Sequence, residues 1–360
     1  MVEARSLRKA AVPNSLLSDP SPGCLQPTRL ALHVKEDGSS SSVYIASGCH
    51  VYNLEISMEG SMVAKGKESL LIPIEAQVLE ASILDRCPHR SEIQSVVIAE
   101  SKDDNCLILG TVDSYGHLIV SQLDTSTSVG SKILLDIDRL SYSVLPRDIG
   151  VGEASWAGIS FSPIHWPTVA VARSFCKSVD VYDQDIPIRS FRTLWFPNSL
   201  AFVGSSTQMN GSSPLLAVAE GSQLSIWDLR ANKNGGCVQR ISSSIGDMIY
   251  AVCVSSSGSI AIGGSDRNLT IVDPRRWTAL SRWTNCSKYE ITGLSFSSTD
   301  PSYIYIQGVD YEVTCGNWER NEKSFSFRGD SNWLGFSKCP SNDAVAGWSE
   351  SGNIFIADVI

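Results

Sequence analysis

Seven short segments of this chain share one pattern, an alternating apolar run that ends on a fixed slot beside an acidic or polar residue. They are VYNLE with its slot at Asn53, LIVSQL at Ser121, VDVYDQ at Tyr182, LSIWDL at Trp227, LTIVDP at Val272, VTCGNW at Gly316 and IFIADV at Ala357. The last five slots stand 45, 45, 44 and 41 residues apart, and the first intervals are 68 and 61. About 40–45 residues hold four short strands and their turns. The last five units are therefore in register, and the first two carry insertions. Units that each leave an apolar face uncovered must stack on one another until they close. The spacing therefore predicts one all-β ring of seven, and 360 residues suit a single closed domain of that kind.

The best-formed unit is Leu215 to Arg230, LLAVAEGSQLSIWDLR. An apolar strand leads into a tight turn at Glu220-Gly221-Ser222, and a second strand alternates to its end. Leu224 and Ile226 are apolar while Gln223, Ser225 and Asp228 are polar, which predicts one buried and one less apolar face. The run closes on Trp227-Asp228. A hairpin ending in Trp-Asp resembles the repeat of the WD-repeat family. That resemblance implies a seven-bladed β-propeller, covers nearly the whole chain, and is strongest from Ser155 onward.

The propeller is expected over residues 24–360, with insertions near 66–90 and 139–155. In the first insertion LLIPI is strand-like and AQVLEASIL has helical spacing. Unit two is expected to place its outer strand near Ile133 to Ile137. Residues 1–23, with Pro13, Pro20 and Pro22, read as irregular apart from Leu7 to Val12. The chain ends just after the third strand of unit seven, and an unpaired strand edge is a liability. The N-terminal segment is therefore expected to supply the missing outer strand and close the ring.

Within the resemblance, an aspartate in the turn before the third strand braces that turn. Asp266 and Asp310 each stand six residues before their slots and match, while Asp113 and Glu350 stand at other offsets. The Gly-His pair that partners this aspartate in well-formed members is not found at its expected place. Two units end in Asp-x-Arg, at Asp228 to Arg230 and Asp273 to Arg275. In the family a box ending in WDxR goes with docking to the damaged-DNA-binding adaptor of cullin–RING ubiquitin ligases. Here neither copy is complete, because Gly221 stands where the box wants an acid and the Asp266 copy lacks the tryptophan. Trp227, Asp228, Asp266, Asp273, Asp310 and Asp358 are read as structural repeat positions. Arg230, Arg275, Arg276, Trp277 and Trp195 are the candidate partner-binding residues, with Trp277 beside two arginines the best cluster and Trp195-Phe196-Pro197 the second.

Net charge is −9, with Lys+Arg 29 against Asp+Glu 38. Phosphate-backbone affinity comes from clustered cations, so nucleic acid is not the expected partner. The ten cysteines form no C-x-x-C pair and mostly fall inside apolar strand patterns, the usage of reduced intracellular thiols. No stretch has the roughly 18 apolar residues of a membrane span. The expectation is a soluble protein of the cytoplasm or nucleus, in which the Asn-x-Ser/Thr matches at Asn210, Asn268 and Asn285 stay unmodified.

Enzyme signatures do not emerge. The five histidines are scattered, Cys87-Pro88-His89 stands alone, and no Walker loop or G-x-S-x-G elbow occurs. No cofactor or metal is expected. The sequence points to a non-catalytic scaffold for protein–protein contacts in a multi-subunit complex. A substrate receptor of a cullin–RING ligase, docking through Arg230 and Arg275, is the alternative, and a propeller hydrolase is the third reading.

Overall fold

Period-two alternation resolves into seven antiparallel four-stranded sheets arranged around one axis. The computed structural model describes residues 2–60, 64–84, 87–100, 106–124, 139–148, 154–165, 167–204, 215–243 and 246–360. Blade one is built of Leu30–Val34, Ser40–Ser47, His50–Ser57 and Val78–Ile83, and blade two of Ile93–Glu100, Cys106–Asp113, Leu118–Asp124 and Arg139–Val144. Blade three is Ala157–Phe161, Thr168–Arg173, Ser178–Asp183 and Ile186–Arg192. Blade four is Pro197–Val203, Leu215–Glu220, Gln223–Asp228 and Cys237–Ser242. Blade five is Ile249–Val254, Ile260–Gly264, Leu269–Asp273 and Thr278–Trp283, and blade six Ile291–Phe296, Tyr303–Gly308, Glu312–Asn317 and Glu322–Arg328. Blade seven takes Trp333–Lys338, Val345–Ser349 and Asn353–Val359, and its fourth strand is Ala4–Ala11 from the chain's beginning. Each of the seven slots falls in the third strand of its blade.

The first strands touch in sequence around the axis, the first blade meeting both the second and the seventh. Closure is made by Ala4–Ala11, which runs antiparallel to Asn353–Val359 with Leu7 opposite Ala357. Leu7 is buried in the wedge between blades six and seven. Arg8 is buried too, and its guanidinium donates to the carbonyls of Met58, Glu59 and Gly60 and to Ser6 Oγ.

Seven apolar clusters make the core, each lying between two neighbouring blades. Both faces of a blade are therefore covered, which corrects the one-sided burial expected for Gln223–Asp228. Leu224 and Ile226 pack toward blade five, while Ser225, fully buried, and Trp227 lie on the side of blade three. Ser225 is satisfied locally, because its Oγ donates to Val218 O at 3.4 Å and accepts from Trp227 Nε1 at 2.9 Å. A buried hydroxyl without partners would cost about 1–3 kcal/mol. The Trp227 ring stacks on Phe191 at 4.1 Å.

Two sequence expectations change in the first two blades. AQVLEASIL is not helical, because Val78–Ile83 is the fourth strand of blade one and pairs with Tyr52 to Ile56. Hydrogen bonds to a waiting strand edge outweigh a short stretch of helical spacing. The stretch before it passes over the closure strand, where Ile74–Glu75 pairs with Arg8 and Lys9, and Leu71 joins the wedge between blades six and seven. In blade two the outer strand is Arg139–Val144, inside the segment expected to be a loop. The expected strand at 133–137 lies outside the described residues. Among the described residues no helix is long and apolar enough to cross a membrane.

Candidate interaction surfaces

Because each blade is a meander, the turns after its first and third strands share one rim. The turn after the second strand and the link to the next blade share the other. We call these the lower and upper rims.

The Asp-x-Arg motifs sit on the lower rim. Asp228 Oδ1 accepts the Arg230 N–H at 2.9 Å, and Asp273 Oδ1 accepts the Arg275 N–H at 2.9 Å. Asn317 does the same in blade six, accepting from Glu319 and Arg320 at 3.0 Å each. The recurrent acid or amide is thus a turn brace that asks nothing of the arginine side chain. Arg230, Arg275 and Arg276 are exposed. Arg230 Nε is 3.6 Å from Asp228, and neither Arg275 nor Arg276 forms an ion pair with a described residue. Trp277 adopts a left-handed backbone at φ 55° and half-buries its ring against the wedge between blades four and five. The cluster expected there presents two arginines without a fully exposed anchor.

The expected turn aspartates lie on the upper rim. Asp266 accepts the Asn268 N–H at 3.1 Å and pairs with Arg282 at 3.1 Å, and Asp310 accepts the Glu312 N–H at 3.1 Å. Burial raises the Asp310 carboxyl above its usual range. Asp358 stands in the last strand opposite Ser6.

Trp195 also sits on the upper rim, in the link from blade three to blade four. Leu194, Trp195 and Phe196 are 58%, 53% and 48% exposed in a row. The exposure is enforced from below. Glu220 is fully buried, and its Oε2 accepts the N–H groups of Leu194 at 2.6 Å and Trp195 at 2.9 Å. Its Oε1 accepts from Arg240 Nη1 at 3.1 Å, and the Arg240 guanidinium lies over the Trp227 ring at 5.7 Å. Thr193 Oγ1 donates to Trp195 O at 2.7 Å and closes the loop. Gly221 completes the seat, for at φ +55° a Cβ there would stand 2.8 Å from Trp195 Cβ.

Three cations of the same rim stand in and beside blade three. Lys177 and Arg192 stand next to the loop, the Lys177 ammonium 4.6 Å over the Phe196 ring, and Arg147 is in the link entering blade three on the same rim. None of the three forms an ion pair with a described residue. The nearby carboxylates are already matched. Arg173, buried, holds Asp148 at 2.7 Å and Asp180 at 3.1 Å, and Arg240 holds Glu220. The Arg173 guanidinium holds the Asp148 carboxyl below its usual range. Phe175 is exposed in the hairpin turn of blade three on the same rim, where its N–H donates to Ser155 Oγ at 3.0 Å. Asp247, half-buried in the link to blade five, is the acid at the border of this sector.

A cavity among the first strands of blades one to four and seven is lined by apolar and hydroxyl groups and by Lys338, with Leu30, Ile98, Ile159, Leu200 and Phe336 among them. The segment entering blade one reaches across its upper mouth. Gln26 donates to Asn198 of blade four at 3.3 Å, and Trp156 of blade three donates to Thr28 Oγ1 at 3.1 Å.

One cluster of potential metal ligands occurs among the described residues, formed by His89, Asp113 and His117. The scattered histidines thus do meet here, which corrects the reading of His89 as solitary. Its atoms are already engaged. His89 Nδ1 faces Asp113 Oδ2 at 3.4 Å, and Nε2 meets Thr111 Oγ1 at 2.8 Å. Asp113 Oδ1 accepts the N–H groups of Tyr115 and His117 at 3.0 Å each, and His117 Nε2 meets Ser143 Oγ at 2.7 Å. Burial raises the Asp113 pKa, but hydrogen bonds from His89, the His117 backbone and Ser91 outweigh it, and the carboxyl ends below its ordinary value. The arrangement is the aspartate brace of a blade hairpin, with Pro88-His89 in the place sought for Gly-His. Any ion would have to displace these bonds.

Fold and surfaces define the class, a seven-bladed propeller whose described distinctive features are rims and whose titratable cluster is committed to a turn. No protein-family model matches the chain, and no curated protein matches it. Among solved structures, the crystal structure of a mitotic checkpoint complex contains a similar WD40 propeller. The likeness has TM-score 0.65 at 13% identity and covers 99% of this chain and 93% of that one. At that identity it speaks for the fold alone.

Proposed function

We propose that this chain is a propeller of the WD-repeat type that serves as a non-catalytic scaffold for protein–protein contacts within a multi-subunit complex. The observation that carries the reading is the Leu194-Trp195-Phe196 loop. Three consecutive large apolar side chains face solvent there while a buried carboxylate fixes their backbone. Exposed aromatics on a rigid seat are what interface hot spots are made of, because little conformational freedom is lost on binding. Free thiols at nine described cysteines favour a reducing compartment, the cytoplasm or nucleus.

The test is affinity purification of the full chain followed by mass spectrometry, with Trp195→Ala/Phe196→Ala in parallel. A partner retained at stoichiometric yield by the wild type and lost by the double variant is the expected result. A wild-type chain that retains nothing above background would overturn the scaffold role.

A second reading is favoured by the exposure of Arg230 and Arg275 on one rim of adjacent blades, where a partner carboxylate could be held bidentately. On that reading the lower rim docks the cullin–RING adaptor. Arg230→Glu/Arg275→Glu then loses the adaptor from the purified complex, and an unchanged partner list counts against it.

A further inference from the structure

We propose that the upper rim over blades three and four is the docking surface for an acidic peptide segment carrying a large apolar side chain, an inference that rests on the scaffold reading and names the chemistry of its partner. Phe175, Leu194, Trp195 and Phe196 supply the apolar ground, contributed by two connections of blade three. They are tied together locally. The Thr193 N–H donates to Lys177 O at 2.9 Å, and the Gly221 N–H donates to Phe196 O at 3.3 Å. The blade-three hairpin, the Leu194-Trp195-Phe196 loop and the turn at Gly221 are thereby joined through their backbones.

Charge decides the occupant. The chain as a whole is acidic at −9, yet this sector leaves Arg147, Lys177 and Arg192 without ion pairs among the described residues. Its acids are drawn inward, Asp148 and Asp180 sharing Arg173 and Glu220 taking Arg240, so that with Asp247 counted the five cations of the sector exceed its four acids by one. The exposed charges without ion pairs beside this apolar centre are therefore mainly cations, with Asp247 at the border. A segment that alternates carboxylates with a tryptophan, phenylalanine or leucine complements both features. Nucleic acid fits less well. Lys177 already covers the Phe196 ring face at 4.6 Å, which a base would need for stacking. Aliphatic Leu194 offers no stacking plane, and three cations make a small phosphate footprint.

The test selects a random peptide library displayed on phage against the purified full chain, with counter-selection against Lys177→Glu/Arg192→Glu. Enriched peptides are expected to combine Asp or Glu with Trp, Phe or Leu. A synthetic copy, measured by calorimetry, should bind the wild type and lose about tenfold or more in affinity with Trp195→Ala and, separately, with the charge-reversed pair. Arg275→Glu on the opposite rim should leave its affinity unchanged, and added salt should weaken it. Circular dichroism and thermal melting report whether each variant stays folded, and the charge-reversed pair carries the test if Trp195→Ala does not. Basic or neutral consensus peptides, absence of enrichment, insensitivity to these substitutions, or tighter binding of an oligodeoxythymidylate at the patch each overturn the proposal. The two readings fail differently. A partner that co-purifies with both wild type and charge-reversed chain sinks this surface and leaves the scaffold. An acidic peptide that binds in the expected way while no protein co-purifies keeps the surface and sinks the scaffold.

Discussion

Trp195 is held out in solvent by a carboxylate that never meets solvent itself, since Glu220 Oε2 accepts the Trp195 N–H at 2.9 Å while fully buried. The same carboxylate takes the Leu194 N–H and the Arg240 guanidinium, so one side chain joins the exposed loop to the outer strand of blade four. Removing it leaves two backbone donors and a guanidinium without their acceptor. Glu220→Ala should therefore cost about 3 kcal/mol, and Glu220→Gln less, because an amide oxygen still accepts. Urea unfolding followed by near-ultraviolet circular dichroism measures both. A loss of under about 1 kcal/mol for the alanine variant would remove Glu220 from the loop's support.

The His89 ring should matter more to blade two than any other described histidine does to its own blade. It is fully covered at the side chain and bonded at both nitrogens, to Asp113 and Thr111. His89→Ala opens a cavity and removes one hydrogen-bond partner from the Asp113 carboxylate and one from Thr111, which predicts a loss of about 2–4 kcal/mol. His165→Ala, at an exposed ring, is the comparison and should stay within about 0.5 kcal/mol. Equal midpoints for the two variants in thermal unfolding would refute this.

Stability should fall as the solution is acidified from neutrality. Burial first, and then the neighbouring His89, disfavour a charge on His117, so its pKa lies below the ordinary 6.5 despite the pull of Asp113. A lowered pKa in the fold means that the contribution is complete above the unfolded value and drains away as pH drops through the folded one. His33 is lowered for the same leading reason, burial. The denaturation midpoint should therefore decline between about pH 7 and 5, and His117→Asn should decline less steeply. An unaltered slope in that variant would show that His117 is not a source of it. Asp113, also lowered, adds a further loss only at more acidic pH, below its ordinary 3.8.

The closure strand is expected to be required for solubility as well as stability. Deleting residues 2–11 strips the outer edge from Asn353–Val359 and uncovers the Leu7 and Ala10 sites. The open edge should pair with other copies, visible as higher oligomers in light scattering. A synthetic peptide of residues 2–12 added during refolding should restore the monomer by occupying the vacant edge. Leu7→Ala in the intact chain should cost about 2–5 kcal/mol. A truncated chain that stays monomeric with an unchanged melting midpoint would show that the strand is dispensable.

Local periodicity was informative wherever one residue's environment depends on its own hairpin. The slots at Tyr182, Trp227, Val272 and Gly316 lie in third strands because a blade is built from contiguous chain. The turn acids Asp266 and Asp310 were legible for the same reason, each accepting an N–H two residues on. Asp113 was obscured by its partner, because His89 lies 24 residues earlier in a stretch read as an insertion, with proline where glycine was sought. AQVLEASIL misled because a strand edge from the preceding hairpin awaited it. That edge was invisible in the segment's own pattern.

The sequence by itself determined the number of blades, their order and the strand that shuts the ring, since alternation and spacing are properties of neighbouring residues along the chain. Only the tertiary structure decided that both faces of each blade are buried, that Ser225 lies in a core, and that Trp277 leans inward while Trp195 stands out. It also set Lys177 and Arg192 beside one apolar loop, with Phe175 on the same rim. The physical reason is radial packing. Once seven wedges share an axis, the neighbours of a side chain are chosen by the next blade and by the rim its turn reaches, and neither is written in the local period.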